Sequence, residues 1–433
     1  MLPTIFICAV TIVLMIACIL FFPKLRLGKI SISTYWLVTL LGAATLLIFG
    51  QCSAKQVLDT LLKDSAVNPL KIVVLFLSMT LLSVFLDELG FFGYLANAVL
   101  NRAKSGQKKL FILLYLTVSI LTVFTSNDII ILSFTPFLCY FAKNAKIDPI
   151  PYLTAEFVAA NTWSIALIIG NPTNIYLATS YGVNFIQYLR YSILPAFFAG
   201  CAAFLVLWLL FRKKLSAPLD YTPQVVTLEE KPLLWIGLAH LGVCTIFLSI
   251  SSYIGLEMWL ISLCAAVSLT IFVLIYCAVK KKKPAALGRC YKRAPYEIIP
   301  FLLSMFVMIT ALERSGAIEA IGNLLSGPVD ILTYGVSSFF TANLINNIPM
   351  SVLFSSVLSS AQNAGMGAMF AAVIGSNIGA YLTPVGALAG IMFSNILKEH
   401  GVKFGYRDFL KMGIFVALPA LLCALGGLAL VLI

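Results

Sequence analysis

The chain has 433 residues, 61% hydrophobic and 11% charged, with a formal net charge of +12, whereas soluble domains run at roughly 45–50% apolar and about 25% charged. Within these residues no stretch of polar sequence is long enough for an attached ATPase, kinase or DNA-binding domain, and the composition is that of an integral membrane protein. The positive charge would suit a polyanion, but its placement fits membrane topology and no nucleic acid.

A helix needs about 20 apolar residues to cross about 30 Å of hydrocarbon. Residues 2–22 lack a basic leader and an A-x-A-like cleavage site, so they are expected as a retained transmembrane helix and not a signal peptide. Spans at 34–50 and 70–87 follow. The region 110–142 then reads as a hairpin, with apolar arms 110–124 and 129–142 around Thr125-Ser126-Asn127-Asp128. Next come a span interrupted by polar and Gly/Pro-rich sequence at 151–187 and a further span at 191–211. The second part of the chain gives spans at 233–250, 256–279 and 297–312, and a hairpin at 331–360 with arms 331–342 and 348–360. An interrupted span at 367–397 and a last span at 411–432 complete it. Hairpin arms of 12 to 15 residues reach only about 18–22 Å, so both hairpins are expected to be re-entrant.

Orientation follows from Lys and Arg. With 23–33 in the cytoplasm, 101–109, 143–150, 212–232, 280–296 and 398–411 also fall there and carry 24 of the 29 basic residues. Lys55, Lys63, Lys71, Arg190 and Arg314 are the exceptions, and Lys104 is among the basic flanks of the first hairpin. The protein is expected in the cell (plasma) membrane, with Lys280-Lys281-Lys282-Lys283 as a cytoplasmic anchor near anionic lipid.

A cut near residue 220 leaves two parts, 1–220 and 221–433, with the same order of elements. Phe85-Leu86-Asp87-Glu88-Leu89-Gly90 corresponds to Thr310-Ala311-Leu312-Glu313-Arg314-Ser315-Gly316, Asn127-Asp128 to Asn346-Asn347, and Leu194-Pro195-Ala196 to Leu418-Pro419-Ala420. Five crossings per part is an odd number. The expected fold is therefore all-α, with two inverted repeats of five transmembrane helices plus one re-entrant hairpin each, and with broken helices meeting at the midplane. That is the plan of secondary transporters.

Four polar clusters fall where the backbone should lose its helical hydrogen bonds. They are Thr125-Ser126-Asn127-Asp128; Gly170-Asn171-Pro172-Thr173-Asn174; Asn343 with Asn346-Asn347-Ile348-Pro349; and Gly375-Ser376-Asn377-Ile378-Gly379, continuing to Thr383-Pro384-Val385-Gly386. Unsatisfied peptide groups cost several kcal/mol in lipid, so such breaks persist only inside protein or beside water. Each break offers a half-helix N-terminus for electron-rich ligand atoms and free carbonyls for a cation, and proline fixes it. Ser126, Asn127, Asn171, Thr173, Asn174, Asn346, Asn347, Ser376, Asn377 and Thr383 are expected to contact the substrate. Asp128, Thr125, Gly170, Asn343, Gly375 and Gly386 are expected around a coupling ion. The alternative is an ordinary bundle with kinks and polar interhelical contacts.

Asp128 is either the carrier of a coupling proton or Na⁺ or a cap for the second hairpin arm. Glu156, about five residues into its span, is either functional or part of an interfacial ion pair, and Glu88 and Glu313 read as structural. No basic residue falls at a break. The ten cysteines show no CxxC and read as packing residues. His240 and His400 lie far from every break, so no enzyme, metal site or cofactor is expected beyond Na⁺ or H⁺ as coupling ion.

On the Ser126-Asn127-Asp128 hairpin followed by Thr135-Pro136, the Gly-Asn-Pro-Thr-Asn break, the Asn346-Asn347-Ile348-Pro349 hairpin and the Thr383-Pro384-Val385-Gly386 break, the chain resembles the ion transporter superfamily. That superfamily holds arsenite-efflux permeases, sodium/proton antiporters of the NhaD kind and divalent-anion/sodium symporters. The Asn-Asp and Asn-Asn-x-Pro pair looks most like the arsenite permeases. Dicarboxylate symporters typically carry Ser-Asn-Thr at each tip, and here Asp128 and Asn347 depart from it. The resemblance implies a homodimer in which hairpins, broken helices and the last helix of each half move as an elevator. It also implies arsenite or antimonite efflux first, with an anion symporter and a sodium/proton antiporter behind it. A channel is the alternative of a different class.

Overall fold

The computed structural model describes residues 1–27, 30–62, 68–103, 106–218, 228, 230–325, 330–361 and 364–433. Lys29, Lys63, Lys104 and the cut at residue 220 lie outside the described residues. The chain opens with α1 (Leu2–Phe21), the antiparallel strands β1 (Lys24–Leu27) and β2 (Ile30–Ser33), and α2 (Thr34–Ile48). It continues through α3 (Ala54–Leu62), α4 (Pro69–Glu88), α5 (Phe91–Ala103), a hairpin of α6 (Gln107–Phe124) and α7 (Asn127–Asn144), a broken pair α8 (Ile150–Trp163) and α9 (Pro172–Ser180), and α10 (Phe185–Phe211). The helices then follow the same order again: α11 (Lys231–Ile254), α12 (Met258–Val279), α13 (Ala285–Arg293), α14 (Ile298–Arg314) and α15 (Ala317–Leu325). After them come a hairpin of α16 (Asp330–Ile345) and α17 (Asn347–Ser360), a broken pair α18 (Met366–Gly379) and α19 (Leu388–Glu399), and α20 (Tyr406–Leu432).

Local chemistry sets several boundaries that apolar runs alone misplace. Asn68 caps α4 by accepting from the Leu70 and Lys71 amides, with Pro69 at the first helical position. A capping box of Asn184 and Gln187 starts α10 at Phe185, so the first broken span ends at Ser180 and not at 187. The arms α6 and α7 have 18 residues each, about 27 Å, because the helices run on through Gln107–Lys109 and Lys143–Asn144. Length alone therefore does not make the first hairpin re-entrant. Among the described residues, eight stretches are long and apolar enough to cross a membrane. Seven match expected spans. The eighth is α6, while α2 falls short at 15 residues. The strands and the short helices α3, α5, α13 and α15 are additions to the expected plan.

The packing is regular. Helix α2 lies on α14 and α4 on α12; α6 lies on α8 and α16 on α18; α7 lies on α19 and α17 on α9; α8 lies on α10 and α18 on α20. Exchanging each helix for the one ten places away turns every one of these pairs into its companion, and α10 against α20 into itself.

Polar contacts fix which loops share an end. Ser33 N–H donates to Glu297 at 3.1 Å. Four residues before Glu297, Arg293 pairs with Asp87 at 2.8 Å and with Glu88 at 2.6 Å. Lys282 meets Glu230 at 2.5 Å and Lys214 meets Asp148 at 2.7 Å. Gln107 donates to the Pro218 carbonyl at 3.1 Å, so both ends of the α6–α7 hairpin meet the 214–218 segment. Five of the six basic loops are joined in this way. Elsewhere Thr4 meets Gln51 at 2.8 Å, Arg314 meets Gln56 at 3.1 Å and Lys71 meets Glu257 at 2.6 Å. Tyr181 reaches the Leu358 and Ala364 carbonyls at 3.4 and 3.3 Å.

Glycines let α18 approach α16. A Cβ on Gly375 would collide with the Gly335 carbonyl and the Ser338 hydroxyl, and one on Gly379 with the Phe339 carbonyl. Gly375→Val should therefore cost about 1–3 kcal/mol by overpacking, read as a lower unfolding temperature in detergent. Gly426→Val, at a site facing open space, should leave it unchanged. Equal unfolding temperatures would show that α18 does not press on α16.

Candidate functional site

In membrane surroundings each broken helix must have its stranded peptide groups satisfied by protein, and the asparagines of the polar clusters do much of this. Helix α18 ends at Gly379 and α19 resumes at Leu388. Asn343, in the last turn of α16, donates to the Gly379 carbonyl at 2.9 Å and to the Phe339 carbonyl at 2.8 Å, and its Oδ1 accepts from the Thr383 hydroxyl at 2.8 Å. Asn346 Nδ2 donates to the Val385 carbonyl at 2.9 Å, and the Asn347 amide donates to the Gly386 carbonyl at 3.0 Å. The tip of the α16–α17 hairpin is thus bonded to the second break along three of its carbonyls. Asn346 adopts φ of +74° with ψ of 152° there, a positive-φ backbone outside the αL region that is rare for any residue but glycine.

Helix α8 ends at Trp163 and α9 starts at Pro172, capped by Asn171, whose Oδ1 accepts from the Thr173 amide at 3.2 Å. Asn174 Nδ2 donates to the carbonyls of Ser164 at 2.7 Å and Leu167 at 3.1 Å. Asn377 of α18 ties this break to the second half of the chain. Its Oδ1 accepts from Ser164 Oγ and Asn171 Nδ2, both at 2.9 Å, and its Nδ2 donates to Asn174 Oδ1 at 2.7 Å and to the Val373 carbonyl at 2.8 Å. Thr173 Oγ1 completes the cluster 3.4 Å from Asn174 Oδ1. All of these side chains are buried.

At the first hairpin tip, Asn127 donates to Asn161 Oδ1 on α8 at 3.0 Å and accepts from the Asp128 amide at 2.9 Å. Ser164 Oγ lies 2.7 Å from the Asn161 carbonyl, so a continuous path runs from Asn127 through Asn161 and Ser164 to Asn377. Thr125 bonds back to the Leu121 carbonyl at 2.8 Å, and Ser126 stands at the N-cap of α7 without a side-chain cap bond. Among the described residues no hydrogen bond joins the two tips.

Three polar groups stay apart from this network. Asn347 Oδ1 and Ser376 Oγ are buried without a partner among the described residues. The carboxylate of Asp128 is 8% exposed and accepts no hydrogen bond among the described residues, so Asp128 does not cap α7; the acceptor for its amide is Asn127. The three glycines have packing roles. A Cβ on Gly170 would meet the Ser164 carbonyl, Gly375 lies inside α18 against α16, and the Gly386 carbonyl is used by Asn347.

Asn161 and Ser164 were absent from the sequence-derived set. The signal for Asn161 is positional: it stands two residues before the end of α8, as Asn377 does in the equally long α18. Glu156 is deeper than its place in the span suggested. It is wholly buried and bonded to Thr135 at 2.9 Å, with no ion pair among the described residues. Glu88, by contrast, is ion-paired, accepting from Arg289 and Arg293, each at 2.6 Å. No group of three or more His, Cys, Asp or Glu residues that would hold a metal is present among the described residues.

Multi-pass helices, two hairpins and two interrupted helices joined by buried amides are the build of a membrane transporter. The sequence places it further: the family model described as citrate transporter (CitMHS) matches residues 12–369, and the chain belongs to that family. It is 24% identical over 367 residues to an arsenical pump membrane protein of Escherichia coli, covering 82% of this chain and 85% of that protein. It is 25% identical over 368 residues to an arsenical pump membrane protein of Yersinia enterocolitica, with the same coverage. A putative arsenical pump membrane protein of Bacillus subtilis is 25% identical over 374 residues, covering 79% of this chain and 83% of that one. In fold the chain is similar to the YdaH transporter of Alcanivorax borkumensis, with a TM-score of 0.56 and 14% identity over 99% of this chain and 97% of that one. These relatives place the chain within the superfamily that its motifs resemble.

The geometry separates asparagines that hold the frame from groups that remain available. Asn377→Ala strands buried partners on Ser164, Asn171 and Asn174 and should lower the unfolding temperature, at about 1–3 kcal/mol for each orphaned group. Asn347→Ala removes no side-chain hydrogen bond and should unfold as the wild type does. Thermal unfolding of both variants in detergent checks this, and the reverse order would exchange their roles.

Proposed function

We propose that this protein is a secondary active transporter that expels arsenite or antimonite across the plasma membrane by an elevator motion, coupled to a proton or sodium gradient. The observation that carries the reading is the pair of buried, unpartnered oxygens Asn347 Oδ1 and Ser376 Oγ, with the buried Asp128 at the other tip and no Lys or Arg at any break. A neutral trihydroxy-arsenic species presents O–H donors to such acceptors and needs no counter-charge. The names of the curated relatives support the same substrate. The family description favours a second reading, symport of citrate or a related anion. In that case co-bound cations have to offset both the ligand and Asp128, because an aspartate repels a carboxylate unless it is protonated or cation-bound.

The companion pairs of helices and the two groups of end contacts support two inverted repeats divided near residue 220. By the positive-inside rule, the end that gathers the basic loops is the cytoplasmic one. The re-entrant assignment of both hairpins and assembly as a homodimer belong to the same reading.

Two experiments test it. Single cysteines at Lys283 and Lys55, both exposed, should label with membrane-impermeant maleimide from the cytoplasm and from the outside respectively. Labelling from one side would remove the inversion. In liposomes holding purified protein, Asp128→Asn keeps size and one acceptor but loses the titratable charge. Gradient-driven arsenite accumulation should then fail while arsenite exchange across the membrane persists. Accumulation at the wild-type level would show that Asp128 does not carry the coupling ion.

A further inference from the structure

We propose that Glu156 is a second proton-carrying site, set apart from the hairpin tips and loaded and emptied during the transport cycle; this rests on the reading of the chain as a secondary transporter. Glu156 is the seventh of the 14 residues of α8 and is wholly buried. Its Oε1 accepts from the Thr135 hydroxyl of α7 at 2.9 Å, and its Oε2 has no partner among the described residues. Helix α8 is packed against α6, α7, α10 and α18, and the neighbouring Phe157 ring lies against Phe393 and Phe409, 4.6 and 5.5 Å between centroids. Of the titratable side chains that these elements contribute, Cys139, one turn beyond Thr135, is the one in electrostatic reach among the described residues, and no cation is.

A carboxylate held by one hydrogen bond in such a place is stable only with a proton or a cation beside it. Hard cations take about six oxygen ligands, and the side chains here supply one hydroxyl. A proton needs no such shell: it binds the unpartnered Oε2 itself. The step is a proton transfer alone. The O–H bond at Oε2 forms with a proton from water on one side of the membrane and breaks by return of that proton to water on the other.

Infrared spectra of the full-length protein in lipid vesicles, titrated with pH, test this without any substrate. Wild type should show the carbonyl band of a buried, protonated carboxylic acid that Glu156→Gln lacks, and the band should vanish as pH rises. Thr135→Val, which deletes one hydrogen bond to the carboxyl group, should change the band's frequency and provides the test should Glu156→Gln not fold. The proposal is overturned by identical spectra for wild type and Glu156→Gln. It is also overturned by a band that never titrates while the protein stays folded, by a band lost on adding NaCl at constant pH, or by a frequency unmoved in Thr135→Val. With arsenite as probe under an imposed pH gradient, Glu156→Gln should lose accumulation; accumulation at the wild-type level also overturns it. If wild type moves no arsenite, the substrate reading fails while the infrared titration still decides on Glu156.

Discussion

Everything distinctive in this structure follows from one constraint: a peptide group outside a helix has no water to turn to in a membrane interior, so the protein must supply its partner. Two helices are broken over eight residues each, between Trp163 and Pro172 and between Gly379 and Leu388. Carbonyls of Ser164, Leu167, Gly379 and Val385 point to asparagine amides, and the Gly386 carbonyl meets the Asn347 backbone amide. Asparagine suits the task because one short side chain carries both donors and an acceptor. It can bind a stranded carbonyl and pass the polarity on to a neighbour.

This use of asparagine has a mechanical consequence. Asn377 joins α18 to the first break, Asn343 and Asn346 join the second hairpin to the second break, and Asn127 joins the first hairpin to α8. Each bond is worth about 1 kcal/mol net, but leaving one unmade strands a buried polar group at greater cost. The network therefore favours movement of the hairpins and broken helices as one body, as the proposed elevator requires. Close helix contact at Gly375 and Gly379 adds to the same rigidity.

Much of this was legible in the sequence, for identifiable reasons. Long apolar runs give the spans, and Gly, Pro and Asn inside them give the breaks, because those residue types conflict with lipid or with helix continuity. What stayed hidden depends on partners distant in sequence. Nothing local distinguishes Asn377, which is fully bonded, from Asn347, whose Oδ1 is not; the difference is made by Ser164, Asn171 and Asn174 two hundred positions away. Glu156 looked shallow because position in a span measures distance along the chain and not depth under neighbouring helices. The short helices α3, α5, α13 and α15 escaped because their apolar faces are too brief to register as spans.

The separation between frame and available groups bears on how related chains come to carry different ligands. The frame satisfies backbone, and any transporter with the same breaks needs it whatever it moves. In the proposed transporter the groups it leaves over are what a ligand meets, and here they are an aspartate, an amide oxygen and a hydroxyl, with no Lys or Arg at either break. An anion with several charges placed among them meets only partial positive charge from helix ends, about half a unit each, so its charge must be balanced by ions that travel with it. A neutral hydroxylated solute needs no such balance, which in the proposed mechanism leaves the aspartate to exchange the coupling ion. On this reasoning these left-over groups, and not the shared scaffold, decide between a family description that names citrate and relatives whose names point to arsenic.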